Sequence, residues 1–124
     1  MNLVILVRPS YLTIASVNGG INPTAGVGFN VVVQVLVGNA VPTNVVANTA
    51  VTLSRTTGTG TLGGTLTGTI LAGSNSATIS GVTYNKAESG VVLTATRTSG
   101  DLLPATNSAA VSYTHLTLPT IYSV

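Results

Sequence analysis

FNVVVQVLVG, the stretch at residues 29–38, decides the fold class of this chain. Its odd positions are all apolar, whereas its even positions include Asn30, Gln34 and Gly38. An apolar period of two indicates a β-strand, because successive side chains of a strand point to opposite faces of the sheet. The pattern predicts a strand with one buried face. The residues of that face are Phe29, Val31, Val33, Val35 and Val37.

Apolar segments rich in Val, Ile and Thr recur along the chain. These residues favour strands, because a branched Cβ restricts the side chain in a helix and packs well on a pleated sheet. The segments between them are rich in the Gly, Pro, Asn and Ser that turns require, and YNKAESG at residues 84–90 fits a turn better than a helix. A seventh strand is expected after NSAA at residues 107–110. The other predicted strands are Leu12–Val17, Val51–Arg55, Leu66–Leu71, Ala77–Tyr84 and Val91–Thr98.

These local signals agree on the fold class. They predict an all-β protein, an immunoglobulin-like β-sandwich of about seven antiparallel strands. The chain has no cysteine and no tryptophan, so the disulfide and tryptophan of an antibody core are excluded. Without disulfides, the fold must be stable by packing alone.

Composition limits the chain to one domain and reduces the classes of partner that it could bind. Its 124 residues can bury a single core, and a content of 44% hydrophobic and 5% charged residues excludes disorder. The four basic residues are spread thinly, so no cluster can neutralise consecutive phosphates, and we expect no nucleic-acid binding. We also expect no membrane insertion, because the apolar run Leu3–Val7 is far shorter than the roughly 20 residues that a spanning helix needs.

Two features could indicate catalysis or cofactor binding, and the sequence supports neither. GTGTLG at residues 58–63 fits the glycine spacing of a dinucleotide-binding loop, but the following GTLTGTIL predicts a strand where that loop requires a helix. His115 is the only histidine, and a general base would need a nucleophile and an orienting acid beside it. We predict that the chain is not an enzyme, has no catalytic residue and uses no cofactor.

Metal binding and cross-linking are equally weak hypotheses. Glu88 and Asp101 could be calcium ligands at loop ends, but two acids in separate loops fall short of the 6 to 8 oxygens that calcium takes. Zinc would want four Cys, His or acidic ligands. Lys86 could form a cross-link to an asparagine with help from an acid such as Glu88, although a solvated turn is the simpler expectation. We therefore predict no metal site.

The aromatic residues offer a possible ligand surface. Exposed rings stack against sugars in carbohydrate-binding proteins, so an exposed Tyr11 or Tyr84 would support a ligand-binding function. Packing is the expected role of Phe29 and of Tyr84, since the chain has few rings and its core needs them.

Residues 11–110 resemble the bacterial immunoglobulin-like (Big) repeats of invasin-type adhesins and other secreted surface proteins. LTIASVNGGINPTAGVGFNVVVQV at residues 12–35, the Thr/Gly-rich segment at 51–84 and GVVLTAT at 90–96 carry this resemblance. It implies a structural or adhesive spacer repeat on a bacterial surface. VSYTHLTLPT, residues 111–120, instead resembles one translated frame of an adapter used in sequencing libraries.

We therefore divide the chain into three parts. Residues 1–10 are a leader outside the domain or an edge segment, residues 11–110 are the immunoglobulin-like domain, and residues 111–124 are a non-native tail. The tail can still add an edge strand, because any extended segment can supply backbone hydrogen bonds at a sheet edge.

The resemblance leads to a functional expectation. We expect a non-catalytic spacer or adhesion module of a secreted or cell-surface protein, with neighbouring immunoglobulin-like repeats as partners and its export signal upstream of Met1. The alternative is a module that binds a carbohydrate or protein ligand for a secreted enzyme or adhesin. The sequence assigns no ligand-binding residue to that alternative.

Overall fold

The chain folds into ten β-strands within residues 10–113, the part that the computed structural model describes. The described residues contain no α-helix, only a single 3-10 turn at Asn18–Gly20, and thus no helix that could cross a bilayer. The strands are β1 (Ser10–Val17), β2 (Phe29–Val37), β3 (Val41–Pro42), β4 (Thr49–Thr57), β5 (Leu62–Gly64), β6 (Thr67–Ile70), β7 (Ser76–Tyr84), β8 (Glu88–Ser99), β9 (Thr106–Asn107) and β10 (Val111–Tyr113).

The strands form two antiparallel sheets that pack face to face. The first sheet has the order β1-β2-β7-β5, with β3 paired to the end of β2. The second has the order β10-β8-β4-β6, with β9 paired to β8. The all-β sandwich predicted from the sequence is confirmed.

The structure contains more strands than the sequence predicts. All seven predicted strands are present, and β3, β5 and β9 are added to them. These three strands are two or three residues long, which is too short for an alternating pattern to show.

The core lies between the two sheets and consists of inward-facing positions of both. In β2 the predicted face is buried at Phe29, Val31, Val33 and Val35, while Val37 is only partly buried where the strand ends. β8 contributes alternate positions from the other sheet. The largest fully buried side chains are Tyr84, Leu12, Leu53, Ile70, Ile79, Leu93, Val31, Val33, Val35, Val51, Val82 and Val91.

The described part of the chain begins at one end of the sandwich and finishes at the other. Ser10 pairs with Val37, whereas Tyr113 pairs with Glu88 and lies beside Phe29, at the opposite end of β2. We call the first end, with the loops at residues 38–48, 71–75 and 100–105, the entry end. The other, with the loops at residues 18–28, 58–61 and 85–87, is the exit end.

The predicted non-native tail overlaps the described residues at three positions. Val111–Tyr113 form β10, in which Val111 pairs with Val91 of β8. Residues 1–9 and 114–124, and with them the hypotheses on His115 and on the leader, lie outside the described residues.

Candidate functional site

The densest group of polar contacts lies at the exit end and closes the loop at residues 58–61. Glu88, the first residue of β8, accepts hydrogen bonds from the backbone N–H groups of Thr59 (2.7 Å) and Gly60 (3.1 Å) and from the Thr59 hydroxyl (2.9 Å). The buried Tyr84 hydroxyl also donates to Glu88 and accepts from the Gly60 N–H (2.7 Å). We call Thr59, Gly60, Tyr84 and Glu88 the exit-end cluster.

Glycine is required at position 60 because the backbone passes directly over the Tyr84 ring. A Cβ at Gly60 would lie 2.6 Å from Tyr84 Cζ and 2.8 Å from Lys86 Cβ. Gly58 has a φ of +128°, and a Cβ there would lie 2.7 Å from the Tyr84 hydroxyl. The first two glycines of GTGTLG thus allow close approach to an aromatic ring. The N–H groups of Thr59 and Gly60, which a nucleotide would need, are bound to the carboxylate of Glu88.

Two basic side chains complete the contacts around this loop. Arg55, on β4, donates to the carbonyl oxygen of Gly58. Lys86 Nζ donates to the Thr59 hydroxyl oxygen at 2.5 Å. The Lys86 amine is therefore engaged with Thr59, and the only asparagine in this loop network, Asn85, uses its side-chain oxygen to accept from the Thr61 N–H (2.7 Å). This arrangement gives no support to a lysine–asparagine cross-link.

The electrostatics of the cluster hold its two ionisable groups in their ordinary states at neutral pH. The hydrogen bond from Tyr84, followed by that from the Thr59 N–H, lowers the pKa of Glu88 from 4.5 to about 2. Burial, and then the bond to Glu88, raises the pKa of the Tyr84 hydroxyl. A carboxylate that is so weakly basic and a phenol that stays protonated make a poor acid–base pair for catalysis. The cluster is suited to fixing a loop.

The low pKa of Glu88 predicts that acid weakens the fold. The unfolded chain takes up this proton near pH 4.5 and the folded chain only near pH 2, so the stabilisation is present above pH 4.5 and is lost as the pH falls toward 2. We expect the midpoint temperature of thermal unfolding, followed by circular dichroism, to fall across this interval. Glu88→Gln, which cannot titrate, should show a flatter dependence. An equal fall in both proteins would assign the acid sensitivity to other groups.

An aromatic cluster extends from the exit-end cluster into the core. The ring centroids of Tyr84 and Tyr113 lie 4.5 Å apart, and those of Phe29 and Tyr113 lie 5.5 Å apart. The Tyr113 hydroxyl is buried without a hydrogen-bond partner among the described residues, and burial strongly raises its pKa. The two neighbouring tyrosines therefore differ: the Tyr84 hydroxyl both donates and accepts a hydrogen bond, whereas the Tyr113 hydroxyl has no partner among the described residues.

This contrast predicts opposite effects for the same substitution. Tyr84→Phe removes a hydrogen bond to a carboxylate and should lower the free energy of unfolding by about 1–2 kcal/mol. Tyr113→Phe removes a hydroxyl that is buried unpaired and should raise it by about 1 kcal/mol. Urea denaturation followed by circular dichroism measures both. A loss of stability in Tyr113→Phe as large as that in Tyr84→Phe would mean that the Tyr113 hydroxyl has a partner.

Asp101 fixes the loops at the entry end. Its carboxylate accepts hydrogen bonds from the N–H groups of Val46 (2.8 Å) and Ala47 (3.1 Å). Its own N–H donates to the hydroxyl of Thr49 (3.1 Å), the one buried polar residue of the described chain. Asp101 and Glu88 thus act in the same way at opposite ends of the sandwich.

The structure keeps the candidate metal ligands apart. Because Glu88 lies at the exit end and Asp101 at the entry end, the two acids cannot share one calcium ion. No group of three His, Asp or Glu side chains occurs within residues 10–113.

The candidate sugar-stacking rings are only partly available. Tyr84 is fully buried and Phe29 is almost fully buried, so both rings pack in the core. Tyr11 is half-buried, and its hydroxyl donates to the carbonyl oxygen of Gly38 (3.3 Å). One half-covered ring is a small platform for a sugar.

Two surface cavities lack converging reactive groups. One, of about 260 Å³, lies between β1 and residues 108–111, where Ile14, Val17 and Val111 supply apolar walls. The other, of about 300 Å³, lies at the entry end and includes Asp101, whose oxygens are already bonded. Neither resembles an active site, which brings several polar groups to one point.

Sequence reasoning missed the exit-end cluster as a unit. It placed Glu88 in a solvated turn and treated Tyr84 as a packing residue, and neither description contains their hydrogen bond. The signal was present in the glycines, since Gly58 and Gly60 mark a place where the backbone approaches another group closely. Nothing in the sequence says that this group is Tyr84, which is 24 positions away from Gly60.

Comparison of the chain with models of known protein families, with curated proteins and with solved structures finds no match.

Proposed function

We propose that the chain is a non-catalytic, immunoglobulin-like spacer or adhesion module of a bacterial secreted or cell-surface protein. One observation carries the proposal: the charged side chains that lie near loops are used to fix those loops. Glu88 and Asp101 each bind two backbone N–H groups, and Arg55 and Lys86 bind the loop that Glu88 closes. Such an arrangement stiffens a module and leaves little chemistry to its surface.

The positions of the first and last described residues support the spacer role. With Ser10 at the entry end and Tyr113 at the exit end, tension on the polypeptide acts along the strands. β1 is then held to β2 by antiparallel pairing from Ser10 to Val17, and these backbone pairs must yield together. A short module with its ends at opposite poles adds nearly its whole length to an extended array.

Pulling on single molecules tests this mechanical role. We expect one cooperative unfolding event that releases a contour length of about 350 Å, at roughly 3.5 Å per residue. Because forced unfolding is governed by the unfolding rate, Glu88→Gln should lower the unfolding force if the exit-end cluster opens before the barrier. Gradual extension without a distinct event would contradict the proposal.

Ligand screening tests the alternative of a binding module. A glycan array probed with the 124-residue protein should show no specific binding, since Tyr84 offers no exposed ring and Tyr11 only a half-covered one. Specific binding that is lost in Tyr11→Ala would favour a carbohydrate-binding module over a spacer.

A further inference from the structure

Asn18–Gly19 is the only Asn-Gly pair in the chain, and it lies in the turn that follows β1. Asparagine is a thermolabile residue, because the backbone nitrogen of the next residue can attack its side-chain amide carbon. Glycine in the next position hinders this attack least, since it has no Cβ and its backbone adopts conformations that other residues avoid. The pair therefore has the local chemistry of a modification site.

The turn has an uncommon left-handed backbone. Three consecutive residues have a positive φ: Asn18 (52°), Gly19 (63°) and Gly20 (86°). Within residues 10–113, Ala40 is the only other non-glycine residue with a positive φ. The left-handed conformation is unfavourable for a residue with a Cβ, although asparagine tolerates it better than most residues do. The native conformation of Asn18 is therefore one that the turn can leave at low cost.

The turn is exposed and is held by local contacts. Gly19 and Gly20 are exposed, and a Cβ built at either position would meet no atom within 4 Å. The side-chain nitrogen of Asn18 donates to the carbonyl oxygen of Ile21 (3.1 Å), and the Ile21 N–H donates to the carbonyl oxygen of Asn18 (3.1 Å). Opening these two bonds breaks no strand pairing, and local openings of this kind cost far less than global unfolding.

We propose that Asn18 is a site of spontaneous deamidation in the folded protein, with water as the only co-reactant. The backbone nitrogen of Gly19 bonds to the side-chain amide carbon of Asn18 and gives up its proton, and the side-chain nitrogen leaves as ammonia. Water then adds to one carbonyl carbon of the cyclic imide and breaks one C–N bond. Breakage at the side-chain carbon gives aspartate, and breakage at the main-chain carbon gives isoaspartate.

The products differ from the original turn in charge and in backbone length. Either carboxylate removes one unit from a formal net charge of +2, in a chain of which only 5% of the residues are charged. Isoaspartate also inserts a methylene group into the main chain between β1 and β2, so the bond from the Ile21 N–H to the Asn18 carbonyl oxygen cannot keep its geometry. A more acidic form with an altered exit end should therefore accumulate as the protein ages.

Asn39 offers an internal comparison at the opposite end of the sandwich. It is exposed and lies in a tight turn at residues 38–40, but the residue that follows it is Ala40. The Cβ of Ala40 hinders the approach of the attacking nitrogen. Because a rate depends exponentially on its barrier, we expect this hindrance to make conversion at Asn39 at least about tenfold slower than at Asn18.

Mass spectrometry of the aged 124-residue protein tests the site. The protein is kept for several weeks in a mildly alkaline buffer, and its charge forms are separated by cation exchange before digestion. A more acidic form should accumulate, and tandem mass spectra should place the change from amide to acid at Asn18. The rate should rise with pH, because the attacking nitrogen must lose its proton.

Two variants should remove and create the reactivity. Asn18→Gln should abolish the acidic form, because glutamine would have to close a larger ring. Ala40→Gly should make Asn39 a second labile site with a rate at least about tenfold higher than in the wild type. Glycine suits the φ of 61° at position 40, so this variant should fold. Circular dichroism of the fresh variants checks their folding.

Three outcomes would each overturn the proposal. The first is conversion at Asn18 that is no faster than at Asn39. The second is an acidic form that persists in Asn18→Gln. The third is conversion of a synthetic peptide of residues 15–23 without conversion of the folded protein, which would mean that the turn protects Asn18. The site is independent of the proposed spacer function, so none of these outcomes bears on that function.

Discussion

Gly60→Ala is expected to lower the free energy of unfolding by about 2–3 kcal/mol. The added Cβ would lie 2.6 Å from Tyr84 Cζ and 2.8 Å from Lys86 Cβ, distances at which one of the groups must move. Tyr84 is fully buried against Tyr113 and bound to Glu88, so it cannot move without losing these contacts. Overpacking a rigid site typically costs about 1–3 kcal/mol. Chemical denaturation followed by circular dichroism measures the loss.

Gly28→Ala is the matched control. The nearest atom to a Cβ at Gly28 is Gly81 Cα at 3.5 Å, an ordinary contact, and the φ of Gly28 lies outside the left-handed region. Its stability should change by less than about 1 kcal/mol, in the direction of a gain, because alanine lowers the entropy of the unfolded chain. Equal losses in the two variants would show that Gly60 is not special and that the closeness of Tyr84 is unimportant.

Leu93→Ala should destabilise the protein by about 3 kcal/mol. Leu93 is fully buried in β8 between the two sheets, and removal of a buried leucine side chain costs its transfer free energy and leaves a cavity. For a domain of about 100 residues, this loss corresponds to a fall in Tm of more than about 10 °C. Scanning calorimetry measures the change directly.

Leu102→Ala is the matched control, because it makes the same leucine-to-alanine change at an exposed position. Leu102 is largely exposed at the entry end, so its truncation should change stability by no more than about 0.5 kcal/mol. A comparable loss in both variants would place Leu102 in a buried environment and would contradict its exposure in the structure.

The fold class could be predicted from this sequence because its strands are long enough to alternate. The alternation predicts one buried face made of Phe29, Val31, Val33, Val35 and Val37. The structure buries the first four and covers Val37 only partly. The alternation of apolar and polar residues predicts which side chains are buried. It can be read from residues that are close together in the sequence. Strand pairing, by contrast, joins distant segments, and β3, β5 and β9 exist only because a longer strand lies beside them.

The polar clusters could not be predicted for the same reason. Glu88 meets Thr59, and Asp101 meets Val46, across sequence separations of 29 and 55 residues. Each acid alone looks like a solvated turn residue, because its type and its near neighbours are what a turn would contain. Only the pairing of β8 with β4 brings Glu88 to the loop that it closes.

The close passage of residue 60 over the Tyr84 ring makes these two positions a single unit of variation. A side chain at position 60 needs the space that the ring occupies, so a larger residue there becomes acceptable only when position 84 becomes smaller. Redesign of this loop should therefore change both positions together, and a double substitution such as Gly60→Ala with Tyr84→Leu should cost less than the sum of its parts.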